Sequence, residues 1–340
     1  MGKPVVLLVK EIYYTILAAV GLPANLMTII ILTRGNCGLS KCITAYMVAM
    51  ATADLLTIIN NVMVYYIFSY HFPLSFLAHT PVCRTILYMT TVNLDNSVWF
   101  TVSFTFDRFV AICCQKLKTR LCTKRVAVAI VTTASILILL KDIPVLFAYE
   151  PQHIINKVHW GCQSSVAFLS SSPGIAYVWF HSAWVVWLPF TLIFMFNILT
   201  VRRILIANRA RTELRGHRCE NRSDSESENR RKSVILLFTI SISFILLWLT
   251  YAVSLVTTKL DNSVYYRDDR TNPAYIATET GAFLKYLSCF QNPCIYTATQ
   301  SKFRQELKNV VKTAWTLMLR LVEKLRIKGM RFINVPPSRF

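Results

Sequence analysis

The sequence predicts an all-α membrane protein, a seven-transmembrane helix bundle with its N-terminus outside. Composition, the spacing of apolar runs and the placement of basic residues all lead there. Of 340 residues, 54% are hydrophobic and only 16% are charged, where a soluble domain carries about 25% charged residues. Seven apolar stretches lie at about 12–33, 43–68, 82–106, 126–148, 178–201, 234–257 and 276–298. Each approaches or exceeds the ~20 residues a bilayer core requires. The first gap holds Arg34 and Lys41, the third Lys116, Lys118, Arg120, Lys124 and Arg125, and the fifth a run from Arg202 to Lys232. The second gap has no Lys or Arg and the fourth only Lys157. Basic residues mark the cytoplasmic side, so the odd gaps and the tail from Lys302 face the cytosol. An odd number of spans demands the same parity.

This layout divides the chain into a short extracellular segment (1–11), a seven-span domain (12–298, third cytoplasmic loop about 202–232) and a cytoplasmic remainder (299–340). A net charge of +20 would suit nucleic acid if it clustered on one soluble face. Here it follows membrane topology, so no nucleic-acid partner is expected. No short apolar region with a cleavage site precedes the first span, which then serves as its own insertion signal.

Taken in order, the spans carry polar residues where lipid makes them expensive. The first has Asn25 in GLPANL, the second Asp54 in MATADLL, and the third Asp95 and Ser97 in LDNSVWF before it closes on Asp107 and Arg108. The fourth carries Lys141, and the seventh Asn292 and Tyr296 in QNPCIY. A carboxylate at mid-depth costs ~2.5–3.5 kcal/mol, so it faces the bundle interior with a partner. Asn25 reads as interhelical hydrogen-bond glue. Asp54 needs either a proton or a cation. Asp95 and Lys141 would suit a mutual pair. Asp107 and Arg108 read either as interfacial anchors snorkelling to headgroups or as a working pair.

GLPAN, ATADL, Cys83, Asp107-Arg108-Phe109, Pro189, Trp248, NPCIY and Lys302-Phe303-Arg304 stand in order along the chain. Together they resemble a rhodopsin-like (class A) G-protein-coupled receptor over about residues 10–310. Within that class, FDRFVAICCQKLKT, RRKSVILLF and SFILLWLTY resemble the probable G-protein-coupled receptor 139-like orphan group, which is associated with aromatic amino acids. The resemblance implies a disulfide between Cys83 and Cys162, the other eight cysteines being thiols. It implies that Arg108 engages a heterotrimeric G protein, that Asp107 holds Arg108 at rest, and that Phe109 replaces the commoner Tyr. It implies an activation switch of Phe244, Trp248, Asn292, Pro293 and Tyr296, with Pro293 loosening the seventh helix. Asp54, Ser97 and Asn292 match an allosteric sodium site, the plainer reading of Ser97 being a small packing residue. No other cofactor is implied. Arrestin and a receptor kinase are further partners, and the location is the plasma membrane, multi-pass, with a cytoplasmic C-terminus.

Three departures stand against the pattern. The fourth span has no Trp, Thr250 stands where a Pro is usual, and Asn197 where a Tyr is usual. They sustain an alternative: a seven-helix membrane protein that binds ligand or dimerises without G-protein signalling. A transporter would show repeats or broken helices. An enzyme would show HExxH, GxSxG or a ligand cluster, and the sequence has none.

Thr90 lies eighteen residues before Arg108, where amine receptors carry Asp, so an amine ligand is not expected. Thr90, His181, Trp248, Tyr251, Lys285 and Tyr286 are the candidate pocket residues, suited to an aromatic or zwitterionic small molecule. Tyr88 and Trp184 read as lipid-facing belt residues. The loop at 261–275 is either a gate or a solvated loop. SDSESENRRKS (223–233) reads as flexible and phosphorylatable, and the sequon at Asn221 stays unmodified in the cytosol. From Phe303 to about Val311 a basic amphipathic stretch reads as an eighth helix on the inner leaflet, and 313–332 extends that character.

Overall fold

A computed structural model describes residues 5–34, 37–215, 224–260 and 273–333. The sequon at Asn221 and all but the last residues of the 261–275 loop lie outside these. Seven helices form one bundle and an eighth follows. They are α1 (Val5–Thr33), α2 (Lys41–Thr57, prolonged as a wider π-helix over Ile58–Phe68), α3 (Thr80–Cys113), α4 (Lys124–Lys141), α5 (Ser172–Ser182, continued by Leu188–Arg215), α6 (Asp224–Leu260), α7 (Pro273–Thr299) and α8 (Ser301–Ile333). Serine and threonine start several of them. Ser40 accepts from the Ile43 amide, Thr123 from Val126 and Ser171 from Gly174, each pairing one of the amides a helix start leaves unbonded.

The apolar surface faces outwards. Ile16, Leu137, Leu140, Phe194 and Leu246 are exposed, whereas Asn25, Asp54, Asp95, Asp107, Arg108 and Asp142 are buried. This inverts the arrangement of a soluble protein and is what a lipid solvent selects. Five of the seven helical segments are long and apolar enough to cross a membrane by composition alone. α3 and α7 are not among these five; Thr, Asn, Gln and Ser, together with Asp95, Glu279 and Lys285, dilute their apolar character. α3 is also the most central helix, packed on α2, α4, α5 and α6, so its polar residues meet protein.

Pro189 leaves the carbonyl of Val185 without its i+4 donor. The helix widens just before it into a π turn over Ala183–Trp187, closed by Leu188 N–H to the Ala183 carbonyl. α6 and α7 approach closely at Gly281, where a Cβ would come within 2.9 Å of Tyr251 Cα. Between α4 and α5 the chain forms a nested hairpin: β1 (Tyr149–Glu150) pairs β4 (Gln163–Ser164), and β2 (His153–Ile155) pairs β3 (Val158–Trp160). Asn156 and Lys157, at φ 52° and 64°, make the two-residue turn, a geometry that matches strand twist.

Several expected boundaries move: α5 runs on to Arg215 and α6 begins at Asp224, both inside the loop expected at 202–232, so most of the 223–233 stretch read as flexible is helical. α1 begins at Val5, inside the segment read as an N-terminal tail. α4 ends at Lys141, and Ile143–Phe147 around Pro144 is a 3-10 turn, because Pro144 cannot extend the ladder. α3 runs on to Cys113, so Asp107 and Arg108 do not close it.

Candidate functional site

Arg108 and Asp107 are only 6% and 5% exposed, which overturns the anchor reading: snorkelling side chains would reach solvent. The guanidinium donates from Nε to Asp107 Oδ2 at 3.0 Å and also pairs with it through Nη2. Asp107 Oδ1 takes the Cys42 thiol of α2 at 2.9 Å. Cys122, in the turn before α4, points its thiol at the Asp107 carbonyl at 3.6 Å. Burial, together with the Asp107 charge, pushes that thiol up to about 11, so it stays protonated. The third guanidinium nitrogen, Nη1, reaches Ser233 Oγ of α6 at 3.4 Å. Arg108 is thus bound at the α3–α6 interface, with Phe109 stacked on Phe196 at 5.5 Å.

At mid-depth Asp54 is fully buried and accepts from Ser97 at 2.6 Å and from Asn292 at 2.9 Å. Asn25 donates to the Cys289 carbonyl at 2.8 Å, the glue role expected of it. Asn292 Oδ1 and Tyr296 Oη are buried with no hydrogen-bond partner among the described residues. A carboxylate, a hydroxyl and an uncommitted amide oxygen form a donor set that fits a hard cation. Trp248 bonds Ser288 at 3.2 Å and packs on Phe244, whose ring lies 5.5 Å away.

A second charged group sits between α3, α4 and α5. Lys141 Nζ donates to Asp95 at 2.7 Å and Asp142 at 2.5 Å, and meets His181 Nδ1 at 3.0 Å. Tyr177 donates to Asp142 at 3.0 Å. The expected Asp95–Lys141 pair is present, but Asp142 and Tyr177 escaped the sequence reading, and His181 belongs to this cluster.

At the end bearing the disulfide, Cys83 is bonded to Cys162 with Cα atoms 6.2 Å apart, as the resemblance implied. Among the described residues the other seven cysteines form no disulfide; Cys219 lies outside them. Thr80 donates to the Gly161 carbonyl at 2.8 Å, tying the hairpin to α3 a second time. Cys83→Ser is expected to lower stability by about 2–4 kcal/mol, read as an earlier thermal unfolding midpoint.

Beside this bridge lies a cleft of about 720 Å³ between α1, α2 and the hairpin, lined among others by Lys10, Glu11, Tyr14, Tyr66, His71 and Trp160. None of the six expected pocket residues lines it. Thr90 bonds back to Ile86, Trp248 is committed to Ser288, and Tyr286 Oη accepts from Asn61 at 2.6 Å. Lys285 lies over the Tyr251 ring at 4.0 Å. Tyr88 is buried and donates to the Leu139 carbonyl at 2.7 Å, and Trp184 packs on Trp99 at 4.7 Å. Both face neighbouring helices, because their hydroxyl and ring find partners there.

The arrangement defines a helical membrane receptor. The description "7 transmembrane receptor (rhodopsin family)" matches residues 24–296, and the chain belongs to that family. It is similar to G-protein coupled receptor 182 of Mus musculus, 25% identical over 318 residues, covering 88% of this chain and 70% of the relative. It is also similar to C-C chemokine receptor type 3 of Cavia porcellus, 23% identical over 314 residues, covering 90% and 79%. C-C chemokine receptor type 8 of Mus musculus is 22% identical over 322 residues, covering 89% and 79%.

Proposed function

We propose that this receptor binds an extracellular small molecule, an aromatic amino acid or a related compound, and activates heterotrimeric G proteins from the plasma membrane. The observation that carries the reading is Arg108, buried and held across α3 and α6 by Asp107 and Ser233. A cation so placed is released when α6 moves outward. It then offers five N–H donors to a helical partner in the cytosol, where the basic loops place this end. The basic α8 lies along the same leaflet. It is anchored by buried Phe303 and by Arg304, which caps the Thr297 and Ala298 carbonyls of α7 at 3.0 Å. Arrestin and a receptor kinase would use the same face.

The cleft beside the disulfide adds a ligand site to the one expected deeper in the bundle. Its aromatic walls, with Lys10 and Glu11 among the lining residues, suit a molecule with one ring and both charges. The test is a G-protein dissociation screen in cells with aromatic amino acids, at matched surface expression. A response that Tyr66→Ala weakens and Lys285→Ala leaves in place assigns the ligand to the cleft; the reverse assigns it to the deeper site.

A sodium ion at Asp54, Ser97 and Asn292 would hold α2, α3 and α7 in the resting arrangement. Replacing potassium by sodium is then expected to raise the thermal midpoint of the purified chain, and Asp54→Ala to remove that difference. Equal midpoints in the two salts for the unmodified chain would refute the ion.

A further inference from the structure

Ser233 is a neutral residue in the place where α6 meets Arg108, and the chain before it reads Arg230-Arg231-Lys232. Two of the three guanidinium nitrogens are committed to Asp107, while Nη1 faces Ser233 Oγ at 3.4 Å. At that distance a hydroxyl adds little. The side chain is partly exposed at the basic end of the helix. Arginines two and three residues before a serine are what a basophilic serine kinase reads, through charge-assisted pairs to its own carboxylates.

We propose that Ser233 is a phosphorylation site and that its phosphate clamps Arg108, fastening α6 to α3 and holding the receptor at rest. The inference rests on the cytosolic placement of this end and on the role given to Arg108 above. The γ-phosphoryl group of ATP passes to Ser233 Oγ. A P–O bond forms there as the bond to ADP breaks, and the hydroxyl proton leaves through the kinase to solvent. Phosphate brings about two negative charges and three strong acceptors within reach of Nη1. The neutral contact thereby becomes a charge-assisted one, the stronger kind. Asp107 repels the new charge, and the two hydrogen bonds that Asp107 already accepts from Arg108 blunt that repulsion. A kinase needs its acceptor in an extended segment, so the group is added while the first turns of α6 (Asp224–Leu260) are unwound and read when they refold against α3.

The experiment uses the full chain in nanodiscs, treated with ATP and the catalytic subunit of the cyclic-AMP-dependent kinase. Peptide mapping is expected to find phosphate on Ser233, and none there in Ser233→Ala. In a ³¹P titration the phosphoserine should ionise below its usual second pKa of about 6. It should return to that value in Arg108→Ala, with Arg108→Lys between. Basal nucleotide exchange on the G protein should fall about tenfold or more. An unmodified Ser233 beside other phosphorylated serines overturns the proposal. So does a titration indifferent to residue 108. Failure of exchange in the untreated chain counts instead against the G-protein coupling proposed above, since the titration needs no G protein.

Discussion

Lys141→Ala is expected to cost about 3–5 kcal/mol of stability, the penalty for breaking a buried ion pair by removing one partner. The ammonium has three N–H donors and no acceptor. It meets Asp95, Asp142 and His181 at 2.7, 2.5 and 3.0 Å. Without the lysine two carboxylates stand 0–2% exposed with no cation between them, in a protein whose outer solvent is lipid. The loss would appear as a lower melting midpoint in detergent and poor surface expression. The variant Lys141→Met with Asp95→Asn and Asp142→Asn should recover much of it, because no uncompensated charge remains. An unchanged midpoint in Lys141→Ala would mean the cluster is not what joins α3, α4 and α5.

Asp107→Asn is expected to raise basal G-protein activation by about tenfold or more. The carboxylate makes charge-assisted bonds to Nε and Nη2 of Arg108, and such bonds are worth roughly 1.5–3 kcal/mol. With the charge removed, Arg108 keeps only a neutral amide acceptor at position 107 and the long contact to Ser233 at 3.4 Å. The resting arrangement loses its hold while the active one, in which Arg108 has left, loses nothing. Cys42→Ala should act in the same direction and less strongly, since a thiol is a weak donor. Basal activity at or below that of the unmodified chain would show that Asp107 does not restrain Arg108.

The spans were legible because lipid dictates composition over ~20 residues at a time, and the disulfide cysteines because the family motif marks them. Asp54, Ser97 and Asn292 were legible as a group and do meet at 2.6 and 2.9 Å. What the sequence did not disclose depends on how each helix is rotated about its axis. In water an amphipathic face reveals that rotation; here several helices are apolar nearly all round, so Tyr88 and Trp184 could be turned either way on paper. Asp142 escaped notice because it lies one residue past the end of α4, in a turn that Pro144 imposes. Ser233 carried no signal of its contact with Arg108, since the two are 125 residues apart. The cleft needed the nested hairpin, whose short strands hardly alternate.

The most direct test of the account is GDP–GTP exchange on a panel of purified heterotrimeric G proteins, driven by the chain in nanodiscs. Unmodified chain and Arg108→Ala would be compared at equal folded concentration, with and without aromatic amino acids. The account predicts exchange by at least one G protein from the unmodified chain and its loss in Arg108→Ala. Exchange that survives the substitution, or none from either chain across the panel, would contradict it and favour a receptor that binds without G-protein signalling.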